Sequence, residues 1–294
     1  MRFVDVRNDI AFHKIFGDSN RTQALMSFIN AILGKEGEDK IDFIEILNPY
    51  KLPAVRSGKS IIIDIKARDK NLVEYIVEMQ VADVDAFDKR VLYYTARNFD
   101  DQITRGGSYK DLNPIIFIGI LDFNYTSSPK YLSTHKILEV ETHENYLSNM
   151  EYHFVELQKF NKTALELLSL VDKWIYFIKN AKNLEIYPTD LEDVGLQNAY
   201  LDANMFNWTQ EESAAYFDLI LREQDLQNAE EKALRKATEK GLEEGIKEGL
   251  EKGTEAGTIK RSIEIAKKAI QKGYDNETIA DLTGLTIDEI EKLR

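Results

Sequence analysis

The acid in Ile61-Ile62-Ile63-Asp64-Ile65 and the later triplet Glu78-Met79-Gln80 are the residues of this chain best suited to chemistry. An ionised carboxylate in an aliphatic strand loses several kcal/mol of hydration, so Asp64 calls for a compensating metal ion or basic side chain. Strand side chains repeat every two residues, which puts Glu78 and Gln80 on one face, and a hairpin can bring that face alongside Asp64. The sequence has no cysteine and 4 histidines, which removes disulfides, thiolate metal sites and cysteine nucleophiles together. A metal held here is therefore expected to be hard and oxygen-bound, Mg²⁺ or Mn²⁺. Spacing alone leaves a second reading open, in which Lys66 or Arg68 neutralises Asp64 in a structural ion pair and Glu78 and Gln80 lie on a solvated face.

The elements that must position these residues can be read from pattern. Asn8 and Asp9 precede a short amphipathic helix that Gly17 ends, and a second helix is expected from Arg21 to Leu33. Strands are expected over Ile41–Leu47, Ser60–Ala67 and Leu72–Val81, the last two joined at Asp69-Lys70-Asn71. Phe87, Val91 and Tyr94 then fall at helical spacing, and Pro114–Leu121 is a strand apolar on both faces, typical of a sheet interior. Helix, three strands, helix, strand is the order of a mixed α/β sheet covered by helices. Tyr152–Phe160 adds a further strand, and Thr163–Lys182 reads as one helix with Leu165, Leu168, Trp174 and Ile178 available for burial. Beyond it the chain is expected to be all helical.

With 43% hydrophobic residues among 294, the chain can build a full core in one large domain or two smaller ones. No apolar run reaches the roughly 18 residues needed to span a bilayer, and the first residues are not a signal peptide, so a cytoplasmic protein without a membrane partner is expected. Net charge is −13, but residues 1–125 carry 17 basic and 19 acidic side chains, so most of the excess acid lies later. Around Asp64 the balance reverses: Lys51, Arg56, Lys59, Lys66, Arg68 and Lys70 stand against Asp64 and Asp69 alone. Such a patch either holds phosphates or is simply a solvated hairpin surface.

From Ala229 to Lys260 the composition shifts to Lys, Glu, Ala and Gly, with Gly241, Gly245, Gly249, Gly253 and Gly257 four apart. Each glycine costs a helix about 1 kcal/mol relative to alanine, so this segment is either a helix that self-associates through its small residues or a charged tether. Near the end, Gly273 and Gly284 bracket a short helix, and Thr286-Ile287-Asp288-Glu289 is a capping box. This resembles a helix-turn-helix, yet Asp288, Glu289 and Glu291 make its last helix a poor fit to a DNA groove, and a small packing unit is the preferred reading.

As an ordered set, Asn8-Asp9-Ile10-Ala11-Phe12 with Ile15-Phe16-Gly17, Tyr75-Ile76-Val77-Glu78-Met79-Gln80, Gly107-Ser108-Tyr109-Lys110-Asp111-Leu112 and Phe154-Val155-Glu156-Leu157-Gln158-Lys159-Phe160 resembles the PD-(D/E)xK nuclease superfamily. The closer resemblance is to its Rpn branch of recombination-promoting nucleases and transposases, and it covers about residues 8–180. It implies a restriction-endonuclease-like mixed sheet flanked by helices and followed by an all-helical C-terminal region. The expected divisions are a nuclease-like domain over 1–160, a helical extension over 161–228, the charged glycine repeat over 229–260 and the small helical unit over 261–294.

The activity implied is Mg²⁺-dependent or Mn²⁺-dependent endonucleolytic cleavage of DNA, linked to recombination or mobile elements, by an oligomer built through the C-terminal helices. The alternative is a catalytically silent DNA-binding or assembly protein with the same fold. Asp64 and Glu78 would ligate the ion, and Gln80, which stands where the superfamily usually has lysine, would position water or a phosphate oxygen. Lys66 is a candidate for the missing cation, against a salt bridge to a neighbouring acid. Asp9 is either an additional ligand or a helix cap, and His13 stands where the family usually has lysine. Arg56, Lys59, Arg68 and Arg90 are the candidate DNA contacts, and Tyr109 is expected to pack at the sheet edge.

Overall fold

In a computed structural model, which describes residues 2–48, 64–103, 106–186, 188 and 191–294, the Asn8 side chain accepts the Ile10 N–H at 3.0 Å and starts helix α1 (Asp9–Phe16). The cap is thus Asn8, and Asp9 occupies the first turn, where an acid complements the helix dipole. Helix α2 (Gln23–Leu33) follows and ends at Gly34 in the left-handed region, φ 62°.

Strand β1 (Ile44–Ile46) leads into the hairpin of β2 (Ile65–Asp69) and β3 (Glu74–Gln80). Buried Asp69 fixes that hairpin: its carboxylate accepts the N–H groups of Asn71 (2.8 Å) and Val73 (3.0 Å) and the Tyr75 hydroxyl (2.9 Å). Helix α3 (Phe87–Asp100) crosses over to β4 (Ile115–Leu121), and β5 (Leu132–Lys136) and β6 (Met150–Glu156) complete a six-stranded sheet of order β1-β2-β3-β4-β6-β5. Strands β3, β4 and β6 are mutually parallel and the other neighbours antiparallel, as the expected mixed sheet requires. Of the expected strand Ser60–Ala67, residues 60–63 lie outside the described residues.

Alternation divides the sheet into two faces. On one, Ile76, Ile115, Phe117, Leu121, Tyr152 and Phe154 cluster with Phe87 and Val91 of α3. On the other, buried Tyr75, Val77, Ile118 and Val155 face away from that cluster. Trp174 is fully buried in helix α4 (Leu170–Asn180), and its indole N–H donates to Ser27 Oγ at 3.0 Å. Ser27 Oγ in turn donates to Asp193 at 2.6 Å, the residue that caps helix α5 (Val194–Ala203).

The expected single helix from Thr163 is corrected. A capping box at Thr163 opens only a 3-10 turn, Ala164–Glu166, and a second box at Ser169 starts α4, leaving Leu165 96% and Leu168 91% exposed instead of buried.

The chain divides into two compact units, Met1–Leu219 and Ile220–Arg294. Helix α6 (Gln210–Gln271) begins in the first and carries the glycine repeat in continuous helix. Within the second unit, Ala266 and Ala269 of α6 pack with Ile279 of α7 (Asn276–Thr283) and Ile290 of α8 (Ile287–Glu291). Thr286 and Glu289 form the expected capping box. Among the described residues, no helix is long and apolar enough to cross a membrane.

Gly195 marks where α5 meets α2 most closely, since a Cβ there would lie 2.4 Å from both the Gln23 carbonyl oxygen and Ser27 Cβ. Gly195→Ala is expected to lower unfolding stability by about 1–3 kcal/mol, read as a reduced urea midpoint. An unchanged midpoint would refute this packing.

Candidate active site

The β2–β3 register pairs Ile65 with Val77, so Asp64, one residue before β2, stands opposite Glu78. Asp64 Oδ2 accepts the Met79 N–H at 2.8 Å, which orients the first acid toward the second. Both lie on the α3 side of the sheet, where Glu78 is 8% exposed. One of its oxygens, Oε1, is buried with no hydrogen-bond partner among the described residues.

Burial raises the pKa of both acids well above the ordinary carboxylate range. For Asp64, the Met79 N–H and the Arg90 guanidinium pull against burial while Asp9 adds to it. For Glu78, the Asp64 charge adds most after burial, Asp9 adds further, and Arg90 opposes. A pair of desolvated acids with one orphaned oxygen could hold a divalent cation, and its all-oxygen donors are of the kind that hard ions such as Mg²⁺ or Mn²⁺ take. Among the described residues no cluster of three or more His, Asp or Glu could hold a metal.

The remaining candidates divide. Asp9 stands on the exposed first turn of α1, and its charge reaches both acids. His13, one helical turn further on the same face, places Nε2 3.9 Å from Asp64 Oδ1. The Asp9–His13 spacing of four, one helical turn, is the sequence signal that links His13 to the site. Gln80 ends β3, with Oε1 accepting from Arg90 Nη2 and Nε2 donating to the Ala82 carbonyl at 2.6 Å. Lys66 does not supply a cation to the acid pair: it lies 3.0 Å from Glu74 Oε2, and Arg68 Nη2 donates to the other Glu74 oxygen at 2.6 Å. Glu74 is 2% exposed, so it needs both of those charges. Arg56 and Lys59 lie outside the described residues. Tyr109, expected to pack, is 86% exposed.

A mixed sheet whose central hairpin gathers two carboxylates beside a crossover helix is the architecture of PD-(D/E)XK nucleases. The chain belongs to the PD-(D/E)XK nuclease family transposases, whose family model matches residues 6–233. Residues 250–294 match a second model, the C-terminal HTH domain of the Rpn/YhgA-like nuclease family. Comparison with curated proteins and with solved structures returns no match. The two family matches point to a nuclease-like or transposase-like role on DNA. They also overturn the preference for a mere packing unit at the C-terminus, which rested on the acidic last helix alone. Lys260, Arg261, Lys267 and Lys268 are exposed on α6, and Lys272 just beyond its end, while Ala266 and Ala269 of the same helix are buried, so the unit carries a basic surface that α8 does not reveal.

Because burial makes Glu78 hold its proton more tightly in the folded chain than in the unfolded one, its ionisation weakens the fold as pH rises above the ordinary carboxylate range. In the presence of chelator, Glu78→Gln is expected to be more stable than the parent at about pH 8 by roughly 1–3 kcal/mol, with the difference vanishing near about pH 4. Urea unfolding across this range checks it, and parallel profiles for the two proteins would contradict the burial of Glu78.

Proposed function

We propose that the protein is a cytoplasmic, metal-dependent DNA endonuclease whose Asp64 and Glu78 hold Mg²⁺ or Mn²⁺. The observation that carries this reading is the buried Oε1 of Glu78, without a hydrogen-bond partner among the described residues, beside a second desolvated acid. The bound ion would supply an activated water and stabilise the charge developing on the scissile phosphate. Asp64 and Glu78 would hold it at the hairpin, with Asp64 fixed by the hydrogen bond it accepts from the Met79 N–H. In the reaction, water adds to phosphorus, the bridging P–O bond breaks, and the leaving oxygen takes up a proton. The C-terminal helix-turn-helix unit would add DNA affinity through the basic surface of α6.

Plasmid nicking with Mg²⁺ or Mn²⁺ tests the reading. Asp64→Ala and Glu78→Ala should each lose about 10²–10³-fold in rate. The same two substitutions should abolish the rise in urea midpoint that Mn²⁺ gives the parent through its preference for the folded state. DNA retention with no cleavage under either ion would instead favour a silent binding protein.

Self-association through α6 forms part of the proposal. Ala229, Ala233, Ala237 and the five glycines make a stripe of small residues four apart that winds slowly round the helix, beside exposed Leu234, Leu242, Ile246 and Leu250. Added Cβ atoms at those glycines meet nothing within 4 Å, so the stripe is open to a second helix that winds with it. Alanine at Gly245 and Gly249 favours the isolated helix by about 1 kcal/mol each, yet should weaken an assembly that depends on close approach. Sedimentation should accordingly show a smaller species for the double variant, whereas an unaltered or larger one argues against this contact.

A further inference from the structure

We propose that Arg90 supplies the positive charge absent from position 80, and that Gln80 is a positioning residue that aims Arg90 rather than a handler of water. This rests on the nuclease reading above and deepens it. Phosphodiester hydrolysis builds negative charge on the phosphoryl oxygens, and a cation fixed beside them stabilises that charge most where water is excluded. Gln80 follows Glu78 on the same face but is neutral.

The amide of Gln80 has one orientation. Its neighbour on one side is the Ala82 carbonyl, which only accepts, so the amide nitrogen must point there and the oxygen must point to the Arg90 guanidinium, which only donates. Arg90 is held from the other side by its own helix, lying 5.6 Å from the Phe87 ring centroid and 6.0 Å from that of Tyr94. Its charge reaches both acids, since it opposes the raised pKa of Asp64 and of Glu78 alike.

Among the described residues, the basic side chains of β2 and β3 are committed elsewhere. Lys66 and Arg68 both serve Glu74. Among the described residues, no carboxylate lies within ion-pairing distance of Arg90, and its half-buried guanidinium keeps donors beyond the one given to Gln80. A planar fork of donors suits a phosphate, and a guanidinium stays charged in a half-buried aromatic setting where an ammonium can lose its proton.

The test combines nicking of plasmid DNA in Mn²⁺ with binding of a short DNA duplex in Ca²⁺ at several salt concentrations. Arg90→Gln should cut about 10²–10³-fold more slowly, and the slope of log affinity against log salt should shrink by about 0.9, the value of one phosphate contact. Gln80→Ala should lose about 10–100-fold in rate. Gln80→Ala combined with Arg90→Gln should be no slower than Arg90→Gln alone, because a positioning residue has nothing left to aim. Gln80→Lys in the Arg90→Gln background should regain at least about tenfold, since it returns a cation to the same place.

Parent-like cleavage by Arg90→Gln overturns the proposal. So does an inactive Arg90→Gln whose salt slope is unchanged and which Gln80→Lys does not rescue, the mark of a packing role only. Losses that multiply in the double variant overturn the role given to Gln80. If the parent itself fails to cleave, the nuclease reading falls, and an unchanged salt slope for Arg90→Gln then removes the phosphate contact as well.

Discussion

The pairing register between β2 and β3 is the constraint on which the site depends. Side chains alternate across a strand, so a slip of one residue would turn Asp64 to the opposite face and bring Ile65 and Ala67 out of the core. Asp69 prevents that slip. Its carboxylate gathers two main-chain N–H groups and the Tyr75 hydroxyl at the turn, which fixes where β3 begins relative to β2. The two acids then meet at the far end of the same hairpin, and their mutual repulsion out of water is a cost that a cation offsets.

The face that holds them is divided in chemistry as well as in space. Over β4 and β6 it is aromatic and covered by α3, with Phe117 and Phe154 crowding Gly119 so closely that a Cβ there would sit 3.0 Å from the Phe154 ring. Over β2 and β3 it is ionic, with Glu74 held by Lys66 and Arg68 at one end and Asp64 with Glu78 at the other. Arg90 stands where the two halves join, its guanidinium against aromatic rings of α3 and its donors toward the strand that carries Glu78. Burial beside an aromatic layer and proximity of like charge are thus produced by one sheet face.

Much of this was legible in the sequence, because period-two alternation and turn chemistry act over short range. The β2–β3 hairpin, the crossover helix, β4 and the facing of Asp64 with Glu78 follow from it. Strand β5 leaves no signal in the sequence, because Leu132–Lys136 is a polar edge strand with little buried surface and no apolar alternation marks it. The helix expected from Thr163 failed because two capping boxes follow each other, and the second, at Ser169, is the one that carries through. At the site, position 66 read as a neighbour of Asp64 by alternation, but a pattern along one strand cannot reveal that Glu74 on the next strand is fully desolvated and takes the charge first. The Gln80–Arg90 contact links a strand end to a helix turn, and only the folded crossover brings them together.

The placement of the two tryptophans has a practical consequence. Trp174 and Trp208 both belong to the first unit and are buried there, whereas Ile220–Arg294 contains no tryptophan. Intrinsic indole emission therefore follows the sheet-bearing unit alone, while far-ultraviolet circular dichroism is dominated by helix and includes α6 to α8. Coincident curves from the two signals would mark a single cooperative transition, and separated curves would resolve the two halves without a label or a cut in the chain.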